Sequence, residues 1–161
     1  MPTVREIEQA LFRLAPKEGA MDWDNVGQLL GDPEAEISRV LVALDITEAV
    51  ADEAIAGQCQ LIVSHHPVIF SPLKRLDTGS IPYRLAGAGI AAICVHPNLD
   101  RAAGGVGDLL AVRLELDDIQ TAADGICRIG RPTEPRSPRD FAAFVGKRLG
   151  TPVRSGRGPA R

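Results

Sequence analysis

The chain reads as an α/β fold, a mainly parallel or mixed sheet flanked by helices, and three observations predict it. Short apolar runs at residues 40–44, 61–63 and 90–95 have the length and composition of strands buried on both faces. The segments between them, residues 47–58 and 80–88, carry helix signals. Strands alternating with helices of this length close right-handed βαβ crossovers and build a largely parallel sheet.

Before the first run lies a helix over residues 3–15. Thr3 can cap it, Glu6 three positions on completes a capping box, and Val4, Ile7, Leu11 and Leu14 repeat at helical spacing. Pro16 and Gly19 end it, and residues 20–33 read as a loop leading into a short apolar piece. Thr47 is the expected cap of the second helix, and Pro82 opens the third. After the third run, glycines 104, 105 and 107 lead into a helix over residues 106–114. Further on, residues 125–130 suggest a short strand with turns, and residues 131–139 are too rich in proline and charge to be core. Residues 140–149 form an amphipathic helix with Phe141, Phe144, Val145 and Leu149 on one face. The expected organisation is therefore an α/β domain over 1–130, a linker and amphipathic helix over 131–150, and a disordered tail over 151–161.

Composition narrows the function. A formal charge of −3 argues against a nucleic-acid partner, which needs a basic face. No apolar stretch reaches the ~18–20 residues of a membrane span, and the charged N-terminus has no signal-peptide core. A cytoplasmic protein is expected. Cys59, Cys94 and Cys127 form no C-x-x-C pair and are expected as buried thiols.

The chemistry gathers where open α/β sheets place their sites, at the carboxyl ends of strands. Ser64-His65-His66-Pro67 follows the second apolar run, and His96-Pro97-Asn98-Leu99-Asp100 follows the third. These are the chain's three histidines. In an extended segment the imidazoles of His65 and His66 would point to opposite sides, but where the chain turns towards Pro67 both can converge. Imidazole and carboxylate donors suit Zn, Fe, Mn, Co or Ni, and two ions ~3.5–4 Å apart would fit such a set. A single histidine is more often structural than a ligand; it is the concentration at two neighbouring strand ends that predicts a divalent-metal site. The glycine-rich stretch 97–108 matches no phosphate-loop pattern and reads as a tight turn into a helix. Asp22 and Asp24 are either functional acids or part of a turn anchored by Trp23.

DWDNVGQLLGD at 22–32, LVALDIT at 41–47, LIVSHHPVIF at 61–70 and VHPNLDRAAGGVGDLLA at 95–111 together resemble the GTP cyclohydrolase 1 type 2 homologue family, the Nif-three-like dinuclear metal centre hexameric proteins. The resemblance spans about residues 4–130. It implies metal ligands at His65, His66 and Asp100, two divalent cations per site, and His96 in a supporting role in the same cavity. Trp23, Asp24 and Asn25 fall near the site, and Gln28 stands where an apolar residue is commoner. It further implies a ring-shaped homohexamer and a metal-dependent hydrolase or cyclohydrolase acting on a nucleotide or phosphate ester. A non-catalytic metal-binding or regulatory protein is the alternative, and an inactive fragment a third.

One feature departs from the family's pattern. The family completes its site with a C-terminal H-x-x-x-E, and this sequence has no histidine after His96. A truncation or shifted reading frame is the expectation, with weak or single-metal binding and exposed apolar sheet surface as its consequences.

Overall fold

The computed structural model describes residues 1–154. Two compact units divide it, Met1–Gly105 and Val106–Arg161. In the second unit the helix and the hairpin that follow Gly105 pack on each other. Of the expected disordered tail, residues 155–161 lie outside the described residues.

The first unit opens with α1, Val4–Leu14, and its capping box forms as expected. The Thr3 hydroxyl accepts from the Glu6 amide at 3.2 Å, and the Glu6 carboxylate accepts from the Thr3 amide at 2.9 Å. A 3₁₀ turn at Lys17–Gly19 follows. The strands are β1 (Gly27–Leu30), β2 (Val40–Ala43), β3 (Leu61–Ser64) and β4 (Ala91–Cys94), in the sheet order β1-β4-β3-β2. β2, β3 and β4 run parallel, whereas β1 pairs antiparallel with β4. Helices α2 (Glu48–Ala56) and α3 (Ile81–Gly87) make the two crossovers, with Thr47 capping α2 through the Val50 amide at 3.3 Å. The short helix α4, Pro97–Arg101, closes the unit and carries Asp100.

Two cores sandwich the sheet. On one side Ile46, Ala51, Ala54, Leu85 and Ile90 pack on Ile62 and Ala92. On the other, α1 lays Val4, Ile7 and Leu11 over Leu61, Val63 and Ile93. Alternation along β3 and β4 sends neighbouring residues to opposite cores, so both strands are buried throughout, as a central parallel strand requires.

Two expectations need correction. Residues 20–33 are not all loop: β1 lies within them, and its four residues, opening on Gly27 and followed by Gly31, are too short a run to register as a strand. Nor is β2 buried on both faces. It is the sheet edge, and Val42 is 77% exposed beside an apolar groove of about 410 Å³ between α1 and β2. Only the other side of β2, through Leu41, reaches a core.

Gly31 ends β1 with φ +96°, and a Cβ there would lie 2.6 Å from the Ala91 Cβ. Gly31→Ala is therefore expected to cost about 2 kcal/mol, from steric overlap added to an unfavourable backbone conformation. Thermal unfolding followed by circular dichroism measures it; an unchanged midpoint would show that the β1–β4 approach yields freely.

The second unit comprises α5 (Val106–Arg113), an antiparallel hairpin of β5 (Leu116–Thr121) and β6 (Arg128–Pro132), and α6 (Pro138–Leu149). Ser137 caps α6, Gly150 ends it at φ 65°, and Phe141 stacks on Phe144. Cys127, on the hairpin, is exposed; only Cys59 and Cys94 are the buried thiols expected. Among the described residues no helix is long and apolar enough to cross a membrane.

Candidate metal centre

The sheet topology collects the site. Parallel strands β2, β3 and β4 end at the same edge, which places Asp45, His65, His66 and His96 together just beyond them. β1 adds a fourth segment because it runs the other way. Gly27 is opposite Cys94, so the residues before β1, Asp24 and Asn25, lie beside those after β4.

Three imidazoles meet there. Ring centroids are 5.0 Å apart for His65 and His66, 5.1 Å for His65 and His96, and 5.4 Å for His66 and His96. One donor nitrogen from each lies within 4.8 Å of the others, and these three residues could hold a metal ion. Asp100 joins from α4, its Oδ1 3.7 Å from the His65 Nε2. The structure thus brings together all three ligands implied by the resemblance and adds His96 to the same cluster, where a supporting position was expected.

The outer nitrogens decide which atoms face inward. His65 Nδ1 lies 3.0 Å from the Val95 carbonyl, which can only accept, so Nδ1 carries the proton. His66 Nδ1 lies 2.7 Å from Asp45 Oδ1, and His96 Nδ1 lies 2.8 Å from Asp24 Oδ2. With every Nδ1 committed to an acceptor, the Nε2 lone pairs are left to ligate. Imidazoles that bind metals have this outer support almost without exception.

The supports differ in strength. The Asp24 side chain is 0% exposed, and its other oxygen accepts from the Asn25 amide at 2.8 Å. Asp45 and His66 are about half exposed, so water competes with their contact. Buried Asn98 fixes the start of α4: its oxygen accepts from the His96 amide at 2.9 Å, and its amide donates to the Ala15 carbonyl at 2.8 Å. Cys94 sits beneath the cluster, its thiol donating to the His65 carbonyl at 3.0 Å. Burial, and then the negative charge of Asp24, push that thiol up to about 12.

Sequence reasoning missed Asp45. It stands at the end of the β2 run, at the same sheet edge as the histidines, and that position was the available signal. The alternatives left open for Asp24 are also resolved: it is the buried partner of His96, while Trp23 is 64% exposed and anchors no core.

The donor set fits a divalent cation. Three neutral imidazoles surrounded by Asp24, Asp45 and Asp100 concentrate negative charge about inward-facing lone pairs, with no lysine or arginine paired to these carboxylates in the described contacts. Donors up to 4.8 Å apart are wider than the ~3.3 Å implied for two ligands of one tetrahedral ion with ~2.0–2.1 Å bonds. A small inward movement suits one ion, and the wider spacing suits two ions ~3.5–4 Å apart.

A family model for Duf34/NIF3 (NGG1p interacting factor 3) matches residues 2–159. The chain belongs to this family. Its similarity to the GTP cyclohydrolase 1 type 2 homolog of Bacillus subtilis is 36% identity over 160 residues, covering 97% of this chain and 41% of that protein. The protein of the same name from Streptomyces coelicolor is 33% identical over 162 residues, covering 92% of this chain and 57% of that protein. Among solved structures, a Bacillus cereus protein related to NIF3 superposes with TM-score 0.71 at 40% identity, over 74% of this chain and 34% of that one. Reduced HcgD from Methanocaldococcus jannaschii gives TM-score 0.80 at 28% identity, over 91% of this chain and 60% of that one. This NIF3 family chain therefore spans about half the length of the curated relatives it matches, and its histidine cluster lies wholly inside the shared part.

The buried support should matter more than the exposed one. Asp24→Asn is expected to weaken divalent-metal binding ~10–100-fold, as loss of an outer carboxylate typically does. Asp45→Asn, half exposed, should weaken it less than about threefold. Titration calorimetry on both variants measures the difference, and equal losses would contradict this ranking.

Proposed function

We propose that this chain binds a divalent metal through His65, His66 and Asp100, with His96 as a further donor, and that the site serves metal-dependent hydrolysis of a phosphate ester. The observation that carries the reading is the gathering of three imidazoles with each Nδ1 committed to an acceptor, which leaves the three Nε2 atoms free to ligate. A divalent ion there would supply charge that polarises a phosphoryl oxygen and acidifies water near neutral pH. Asp24 and Asp45 hold the rings and retain the Nδ1 protons. Asp100 adds the negative charge that three neutral imidazoles lack. These donors suit Zn, Fe, Mn, Co or Ni.

Three imidazoles and one carboxylate are the complement of one four-coordinate ion. Metal analysis after dialysis should find one tightly held equivalent per chain, and two tight equivalents would contradict the count. Assay with p-nitrophenyl phosphate and GTP, with and without Mn²⁺, tests the hydrolase reading; metal-dependent turnover lost in His65→Ala supports it. A second reading, metal binding without turnover by this chain alone, has its own support: every titratable side chain of the cluster is either a donor or holds one, leaving none as a proton shuttle. Absence of turnover in a metal-loaded chain would select it.

Homo-oligomerisation, in the family's hexameric form, is part of the same proposal. The exposed apolar edge at Val42 and Leu44 supports it, because such an edge invites pairing. Light scattering after size exclusion should give a multiple of the 17.1 kDa chain. A monodisperse monomer would remove it.

A further inference from the structure

Aromatic residues are scarce in this chain, with one tryptophan, one tyrosine and four phenylalanines. Two of them stand exposed on loops whose segments also carry residues of the cluster. Trp23 is 64% exposed and Phe70 52%, and their ring centroids are 6.2 Å apart with the planes tilted by 58°. Neither helps fill either core of the first unit.

Their loops are tied to each other and to the site. The Asn25 side chain donates to the Ile69 carbonyl at 2.7 Å, joining the segment of Trp23 to the segment of Phe70. The next residue after Trp23 is Asp24, whose buried carboxylate holds His96. Phe70 follows His66 by four residues. Consecutive Cα atoms are ~3.8 Å apart, so the Trp23 backbone lies one residue from the buried support of the cluster. A tilted aromatic partner steadies an indole from one side and leaves the rest of its surface for a ligand.

The geometry points to Trp23, supported by Phe70, as a stacking platform for a planar heteroaromatic group. This rests on the proposed metal-dependent hydrolysis and specifies its substrate: a phosphate ester whose leaving or retained portion is a flat heterocycle, as in a nucleotide, rather than a simple sugar phosphate. Stacking on an aromatic side chain is tolerant of the identity of the ring, so the platform selects for flatness and not for one base. The heterocycle lies on Trp23 while the phosphoryl group faces the three imidazoles. Trp23 and Phe70 are binding and positioning residues; neither touches the reacting atoms.

Trp23 is also the reporter, because the chain has no other tryptophan. The full chain, freed of metal with EDTA, is titrated with guanosine, with adenosine and with ribose 5-phosphate while indole fluorescence is followed, and calorimetry gives the affinities independently of optical absorption. Both nucleosides should quench saturably, ribose 5-phosphate should not, and Phe70→Leu should weaken nucleoside binding about tenfold. Trp23→Leu, read by calorimetry alone, should lose nucleoside binding while its Zn²⁺ affinity stays unchanged. No saturable nucleoside binding would overturn the platform, as would equal quenching by ribose 5-phosphate or an undiminished affinity in Phe70→Leu. Since nucleosides carry no phosphate and the protein no metal, these outcomes are independent of the metal titration, whose failure would instead remove the reading of the cluster.

Discussion

Replacing His65 by alanine is expected to lower Zn²⁺ affinity by more than about a hundredfold, because loss of a ligand should exceed the ~10–100-fold cost of losing an outer support. The ring sits at the centre of the cluster, 5.0 Å and 5.1 Å from its two neighbours and with Nε2 3.7 Å from Asp100. Its removal withdraws a donor from the cluster. The backbone should hold: the His65 and Val95 amides remain bonded to the Ala43 and Ser64 carbonyls, and the side chain contributes little to either core. Calorimetric titration together with far-ultraviolet circular dichroism separates the two effects. Unchanged affinity in a folded variant would mean that the cluster does not bind through this residue.

The largest effect on stability is expected at Gly105. A Cβ there would lie 1.9 Å from the Leu99 carbonyl oxygen and 2.9 Å from that of Ala102, closer than any side chain tolerates. Both partners are backbone, so neither can swing aside. Gly105→Ala should therefore cost about 3 kcal/mol, the upper part of the usual range for overpacking. For a unit of this size that corresponds to a fall in melting temperature of roughly 10–20 °C. Because Leu99 immediately precedes Asp100, metal affinity should fall as well. Gly104 supplies the control. Its φ is +72°, yet a Cβ would meet nothing within 4 Å, so Gly104→Ala should cost only about 1 kcal/mol from the backbone conformation. Equal losses at the two glycines would show that the turn, and not the contact with Leu99, sets the cost.

The parallel part of the sheet was legible because burial and periodicity act locally. β3 and β4 are continuous apolar runs, and the caps at Thr3 and Thr47 satisfy amides within three residues of themselves. Long-range pairing left weaker marks. β1 is held by its antiparallel partner and not by its own composition, and β5 is a polar, largely exposed strand that only its hairpin partner defines. The edge position of β2 was equally hidden, since an apolar run looks the same whether one of its faces is covered or not.

The site divides along the same line. His65, His66 and Asp100 could be named because histidine and aspartate are conspicuous at strand ends, and the resemblance carried the rest. The outer carboxylates could not be assigned to their rings, because those contacts cross 21 residues from Asp45 to His66 and 72 from Asp24 to His96. Only the sheet order, with β1 reversed beside β4, brings Asp24 to His96.

The central claim is that three imidazoles keep their protons on Nδ1 and turn Nε2 to a shared cation. Long-range ¹H–¹⁵N correlation of the imidazoles tests it directly, since the three histidines of this chain give three resolvable ring systems. In metal-free protein above neutral pH all three should show the Nδ1–H tautomer, and one equivalent of Zn²⁺ should shift the three Nε2 resonances together while the Nδ1 protons persist. Nε2–H tautomers in the free protein, or Zn²⁺ moving the Nδ1 signals or none at all, would contradict the account.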